Sequence, residues 1–187
     1  MDSPAPLPPE TEADLLQRAQ AGGESAFGTL MQAHHAYVFR LVQAIVRHEQ
    51  DSADICQEIW LTVWQKLGTF RGGAKFTTWL HPIATRKALD HLRKRRRWFD
   101  RFLPFSREDA VTDETERPDE AGEERREHLH RVLNALPPLH RTVLALREVQ
   151  GLSYDEIAHA TGIPTGTVMS RLYHARRLLA KKLKEKP

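Results

Sequence analysis

Apolar residues recur at three- and four-residue steps along most of the chain, and the two-residue alternation of a half-buried strand is nearly absent. Leu15, Leu16 and Ala19 predict a first helix over about 10–22, with Gly22-Gly23 as its stop. Phe27, Leu30, Met31, Val38, Leu41, Val42 and Ile45 lie on one stripe of a longer helix, about 24–47. Asp51 reads as the N-cap of a third helix, about 52–67, with Ile55, Ile59, Val63 and Leu67 on one side. Phe70 to Phe76 reads as a loop, because Gly72 and Gly73 take conformations a helix does not use. Thr77 or Thr78 then caps a fourth helix running to about Trp98. On it Leu80, Ala84, Ala88, Leu89 and Leu92 share one half of the wheel, and Arg86, Lys87, Asp90, Arg93, Lys94 and Arg97 take the other. Pro82 falls in or just after the first turn, where a missing N–H costs least.

The pattern breaks over 106–127, where ten acids and almost no large apolar groups leave nothing to offset ordering entropy. Helical spacing returns with Leu129, Val132, Leu133 and Leu136, ended by Pro137-Pro138, and with Leu139, Val143, Leu146 and Val149, stopped near Gly151. Ser153 to Glu156 is a capping box opening a short helix, and Thr161-Gly162 turns the chain into a last helix, about 165–183. The fold class expected is all-α: two small helical domains joined by a flexible acidic linker. The divisions are a disordered terminus at 1–9, a first domain at 10–103, the linker at 104–127 and a second domain at 128–187.

Charge sharpens this picture once it is divided along the chain. Residues 1–85 carry 6 basic and 9 acidic groups, 86–105 carry 8 and 2, 106–127 carry 4 and 10, and 128–187 carry 10 and 4. Two cationic blocks flanking an anionic one suggest a polyanion touched at two places; solvated helix faces are the plainer reading. No stretch is apolar enough to span a bilayer, and the start MDSPAPLPPETEAD has neither a basic region nor an apolar run, so neither membrane insertion nor export is expected. Cys56 is the one cysteine, which fits a reducing, cytoplasmic setting.

Within the second domain Ala158, Gly162 and Val168 stand as the close-approach, turn and locking residues of a helix-turn-helix, with Ile157 and Ile163 between them. Ser153 caps its first helix and Thr165, after Pro164, its second. The second helix offers Thr167, Met169, Ser170, Arg171 and His174 early, and Arg176, Arg177, Lys181 and Lys182 later. Early side chains of such a helix reach base edges in the major groove, and trailing cations neutralise phosphates. Two functions stand open on these grounds: an autonomous DNA-binding regulator whose first domain dimerises or senses a ligand, and a chain whose first domain also meets nucleic acid and a protein. No P-loop, carboxylate metal cluster or Ser/His/Asp set points to an enzyme. No metal or cofactor is expected, since the close pairs His34-His35 and His128/His130 lack a neighbouring carboxylate or Cys at ligand spacing.

The segments DSADICQEIWLTVWQKLGTF, RGGAKF, TTWLHPIATRKALDHLRKRRR and LNALPPLHRTVLALREVQGLSYDEIAHATGIPTGTVMSRLYHARRLL, in this order, resemble the extracytoplasmic-function (ECF) sigma factors of bacterial RNA polymerase over roughly residues 10–183. That resemblance implies a sigma2-like domain and a sigma4-like domain, and a dissociable subunit that binds core polymerase, reads two promoter elements and opens one. It implies that Asp51, Asp54, Gln57 and Glu58, with Trp60 and Trp64, dock on the β′ clamp helices. It implies that Phe70, Arg71, Lys75, Phe76, Arg86, Lys87, Asp90, Arg93, Lys94 and Arg97 hold the opened minus-10 element. Thr165, Thr167, Met169, Ser170, Arg171, His174, Arg176 and Arg177 then correspond to the reader of the minus-35 duplex. Further partners implied are the β flap and an anti-sigma factor. The family pattern carries Asn where Arg86 stands, Lys where Met169 stands and a helix-favouring residue at Pro82. Met169 puts a soft apolar contact where a donor is usual, so promoter preference is expected to differ.

Among the remaining aromatics, Trp79 is expected in the core, while Trp98, Phe99, Phe102 and Phe105 either stack on nucleic acid or dock the start of the linker.

Overall fold

The computed structural model describes the backbone of residues 9–102 and 120–184, and side chains over 12–97 and 127–184. Among the described residues every regular element is helical: α1 (Pro9–Gln20), α2 (Glu24–Val46), α3 (Glu49–Lys66) with a 3-10 turn at Leu67–Thr69, α4 (Phe76–Phe102), α5 (Glu120–Asn134), α6 (Pro138–Glu148), α7 (Tyr154–Thr161) and α8 (Thr165–Lys184). The predicted stripes face inward except at two helix positions, Leu129 (38% exposed) and Val149 (50% exposed). Leu15, Leu16, Leu30, Val38, Leu41, Val42, Ile45, Ile55, Ile59, Val63 and Leu80 are buried in the first unit. Leu136, Val143, Leu146, Ile157, Val168 and Leu172 are buried in the second.

The stop at Gly22-Gly23 has a steric cause. Gly22 takes φ +90°, and a Cβ on Gly23 would lie 2.8 Å from the Arg18 carbonyl oxygen. α3 starts earlier than expected: His48 is its N-cap, its Nδ1 accepting from the Asp51 backbone N–H at 3.2 Å. Asp51 therefore sits inside the first turn, where its carboxylate complements the helix dipole. α4 also starts early, at Phe76, with Thr78 and Trp79 N–H groups bonding the Lys75 carbonyl at 3.0 and 3.3 Å. Neither threonine is the cap, because burial of the Phe76 ring fixes the helix start before them. Pro82 consequently stands in the second turn.

α5 begins at Glu120, inside the stretch read as linker. The run EAGEERRE is rich in good helix formers. The acidic residues before it, and the side chains of Trp98, Phe99, Phe102 and Phe105, lie outside the described residues.

The two units pack on one another, α6 against α2 and α7 against α4. Arg141, buried on α6 and 7% exposed, donates from Nε to the Ile45 carbonyl in the last turn of α2 at 2.9 Å. A cation thus meets carbonyls that a helix C-terminus leaves without partners. Its Nη1 also reaches the Asn134 and Leu133 carbonyls of α5 at 3.3 and 3.5 Å. Arg47, in the left-handed region at φ 63°, donates from Nε to Asn134 Oδ1 at 3.0 Å.

Candidate nucleic-acid interface

The helix-turn-helix is set by local chemistry. The Ser153 N–H donates to Glu156 Oε2 at 2.8 Å, and the Glu156 N–H donates to Ser153 Oγ at 3.2 Å, closing the expected capping box. The Ser153 N–H and hydroxyl both donate to Glu156 Oε2 at 2.8 Å and, with His81 and Lys75 adding to them, hold the Glu156 carboxyl below its ordinary pKa. α7 ends at Gly162, φ +73°, whose N–H bonds the Ala158 carbonyl at 2.8 Å. α8 starts at Thr165, so Thr165 is helical and not its cap. Its Oγ1 donates to Asp155 Oδ1 at 3.0 Å and ties α8 to the start of α7. Val168, Leu172 and Ala175 then lock α8 against Ile157 and Ala160.

With that face buried, the opposite face presents Met169, Ser170, Tyr173, His174 and Arg177. Thr165 and Thr167 are half-buried beside it. Two expected readers are drawn elsewhere. Arg176 is exposed, but its Nη2 is 2.6 Å from Glu148 Oε1, an ion pair on the α6 side. Arg171 is half-buried, with Nη1 out of solvent and without a hydrogen-bond partner, and its charge helps burial depress the pKa of His140 on α6. Tyr173, 61% exposed, was missed by the sequence reading, although it lies four residues from Met169.

In the first unit Phe70, Phe76 and Trp79 form a ring cluster with centroids 5.6–5.8 Å apart. Phe76 is buried and cannot meet a base; it supports the half-exposed Phe70 from behind. Trp79 packs against the core, as expected. Arg71 and Lys75 are exposed on the loop, and Arg86, Asp90, Arg93, Lys94 and Arg97 on α4. Asp90 pairs with Arg93, and Lys87 Nζ lies 3.2 Å from Glu58 Oε2 of α3, so the cationic and acidic faces touch.

On α3, Asp54, Gln57 and Glu58 are exposed, and Leu61 among them is 60% exposed. Leu61 falls outside the core stripe, which was the sequence signal for it. Two residues expected on this face are committed within the fold. Trp60 is 4% exposed and packs edge-on to Phe27 at 6.2 Å, since it shares the stripe of Cys56, Ile59 and Val63. Asp51 Oδ2 accepts from His91 Nε2 at 3.1 Å and Arg95 Nη1 at 3.2 Å, tying α3 to α4 beside a cleft of about 460 Å³ that Lys94 and His48 also line. Trp64 is half-buried against Phe27, centroids 4.8 Å apart. Cys56 is buried, and burial pushes its thiol up to about 11.

No helix among the described residues is long and apolar enough to cross a membrane, and no cluster of metal-ligating side chains is found among them.

Residues 30–98 match the family described as Sigma-70 region 2, and residues 126–179 match Sigma-70, region 4. The RNA polymerase sigma-H factor of Pseudomonas aeruginosa is 35% identical over 185 residues, covering 95% of this chain and 96% of its own. The ECF RNA polymerase sigma-E factor of Escherichia coli K12 is 33% identical over 187 residues, covering 92% and 94%. In shape the chain is similar to CnrH, solved in complex with the cytosolic domain of CnrY, with a TM-score of 0.68 over 95% of this chain and 99% of that one, at 23% identity. It is also similar to the sigma factor RpoE in its complex with the anti-sigma factor NepR from Bartonella quintana, with a TM-score of 0.69 over 86% and 98%, at 21% identity. These two share the fold.

Proposed function

This chain belongs to the sigma-70 family, in its ECF group, as an alternative sigma factor that directs RNA polymerase, and from that premise we propose how its surfaces divide the work. The relatives match across both units, which sets aside an autonomous regulator built on the second unit alone.

The exposed α3 face of Asp54, Gln57, Glu58 and Leu61, rimmed by Trp64, meets the β′ clamp helices. Acids around one exposed aliphatic group suit a protein surface with a polar rim and an apolar centre. Asp51 and Trp60 act behind that face, holding α3 in place. Phe70, Arg71 and Lys75 on the loop, with Arg86, Lys87, Asp90, Arg93, Lys94 and Arg97 on α4, hold the melted minus-10 strand. A half-exposed ring beside phosphate-neutralising cations supports capture of an unstacked base. Thr167, Met169, Ser170, Tyr173, His174 and Arg177 of α8 read the minus-35 duplex, and the β flap is the partner of the second unit. An anti-sigma factor is proposed as the regulator, supported by the fold shared with CnrH and RpoE, each solved with a bound protein.

The observation that carries this division is the pairing of an acidic, Leu61-bearing face on α3 with cationic faces on α4 and α8. Asp54→Lys in the full chain is expected to abolish association with core polymerase and leave duplex binding intact. Arg177→Ala is expected to weaken duplex binding and leave core association intact. The reverse pattern refutes the assignment.

A further inference from the structure

α8 is held by three buried residues on one side, and of the arginines expected to contact DNA one is ion-paired and another is half-buried. Arg176 is paired with Glu148, and Arg171 is half-buried with Nη1 out of solvent. The Ser170 hydroxyl donates back to the Thr167 carbonyl at 3.0 Å. Two large apolar side chains are exposed on this face, Met169 at 50% and Tyr173 at 61%, one turn apart. They line a groove of about 430 Å³ with Tyr154, Leu172, Arg176 and Arg177.

Large apolar side chains at i and i+4 on a soluble helix form a ridge, not scattered exposure. Arg177 within the groove, and Lys181 and Lys182 one turn further along the helix, give this ridge a cationic surround suited to a phosphate backbone. In the major groove, the feature of a base edge that favours an apolar contact is the 5-methyl of thymine. Adenine is read by Asn or Gln, which α8 does not carry, and guanine by a bidentate Arg, of which Arg176 is already paired with Glu148 and Arg171 is half-buried.

We infer that Met169 and Tyr173 form a thymine-methyl reader, and that the upstream element of this sigma factor carries thymines beneath them. The inference rests on α8 being the duplex reader. Met169 fixes the choice through a flexible thioether that follows the methyl surface, and Tyr173 supplies a rigid ring edge beside it.

The test uses holoenzyme made from the full chain and core polymerase. Upstream duplex sequences are selected from a random library, and each thymine of the winner is then replaced by deoxyuridine, which removes only the methyl. One or two positions are expected to lose about fourfold in affinity, which is ~0.8 kcal/mol at ~1.4 kcal/mol per tenfold. Met169→Ala or Tyr173→Ala is expected to erase that sensitivity, so that the thymine and deoxyuridine duplexes bind the variant alike. Uniform insensitivity to deoxyuridine, or equal sensitivity in both variants, overturns the inference. So does a loss of core association without a change in DNA affinity, which makes the ridge a protein contact. If Arg177→Ala also leaves duplex affinity unchanged, the assignment of α8 as reader fails instead.

Discussion

The contact between the two units includes buried polar bonds whose removal shifts their equilibrium measurably. Arg141 is the sharpest case. Its bonds to Asn134 and Leu133 stay within the second unit, but the bond from Nε to the Ile45 carbonyl crosses between units at 2.9 Å. A buried hydrogen bond from a charged donor contributes ~1.5–3 kcal/mol. Arg141→Ala is therefore expected to favour the separated arrangement by ~2 kcal/mol, or about 30-fold. Energy transfer between dyes on cysteines introduced at the exposed positions Gln65 and Lys181, followed along a shallow urea series, reads the free energy of separation. Cys56 needs no removal, because burial keeps it a protonated, unreactive thiol. Asn134→Ala, which removes only the Arg47 contact, is expected to shift the same equilibrium by ~1 kcal/mol. A separation free energy unchanged within ~0.5 kcal/mol in both variants refutes the role given to these bonds.

His81 is buried, bonded to the Tyr37 hydroxyl, and pushed down to about 4 chiefly by burial, with Glu156 opposing. A histidine depressed in the folded chain binds fewer protons than in the unfolded chain, so stability falls as pH drops below ~6.5 and levels off near the folded value. Urea midpoints are expected to lose on the order of 1 kcal/mol between pH 7.5 and 5.5, and His81→Gln to flatten that slope. Asp51→Asn is expected to lower Tm by loosening the bonds to His91 and Arg95 while core association measured below Tm is retained; loss of core binding without a drop in Tm refutes a structural role. Trp60→Ala is expected to cost ~3–5 kcal/mol and unfold the first unit near ambient temperature, read by circular dichroism.

Most of the helical framework was legible because burial follows the three- and four-residue spacing directly: the stripes of α2 and α3, the capping box at Ser153 and the turn at Gly162 all stand where the pattern puts them. Helix starts were less legible. At α3 a histidine ring nitrogen caps in place of Asp51, and at α4 a buried phenylalanine fixes the start ahead of the threonines. Among candidate site residues, Trp60 and Phe76 carry the right chemistry but lie on the core side of their helices, which their apolar neighbours already signalled. The packing of one unit on the other lay beyond the sequence reading, yet α6 held a clue. Arg141 to Leu146 are all buried, so this helix is covered on more than one face, which one small bundle does not require. Pairings such as Arg176 with Glu148 and Lys87 with Glu58 span 28 and 29 positions and leave no periodic trace.

The most direct measurement is transcription in vitro by purified core polymerase on a promoter library, with start sites mapped with and without this chain. The account predicts start sites that arise only when the chain is added and that share two upstream elements, the proximal one lost in Arg86 and Lys94 variants and the distal one in Arg177 variants. An unchanged set of start sites, with no complex formed between the chain and core polymerase at any salt concentration, contradicts it.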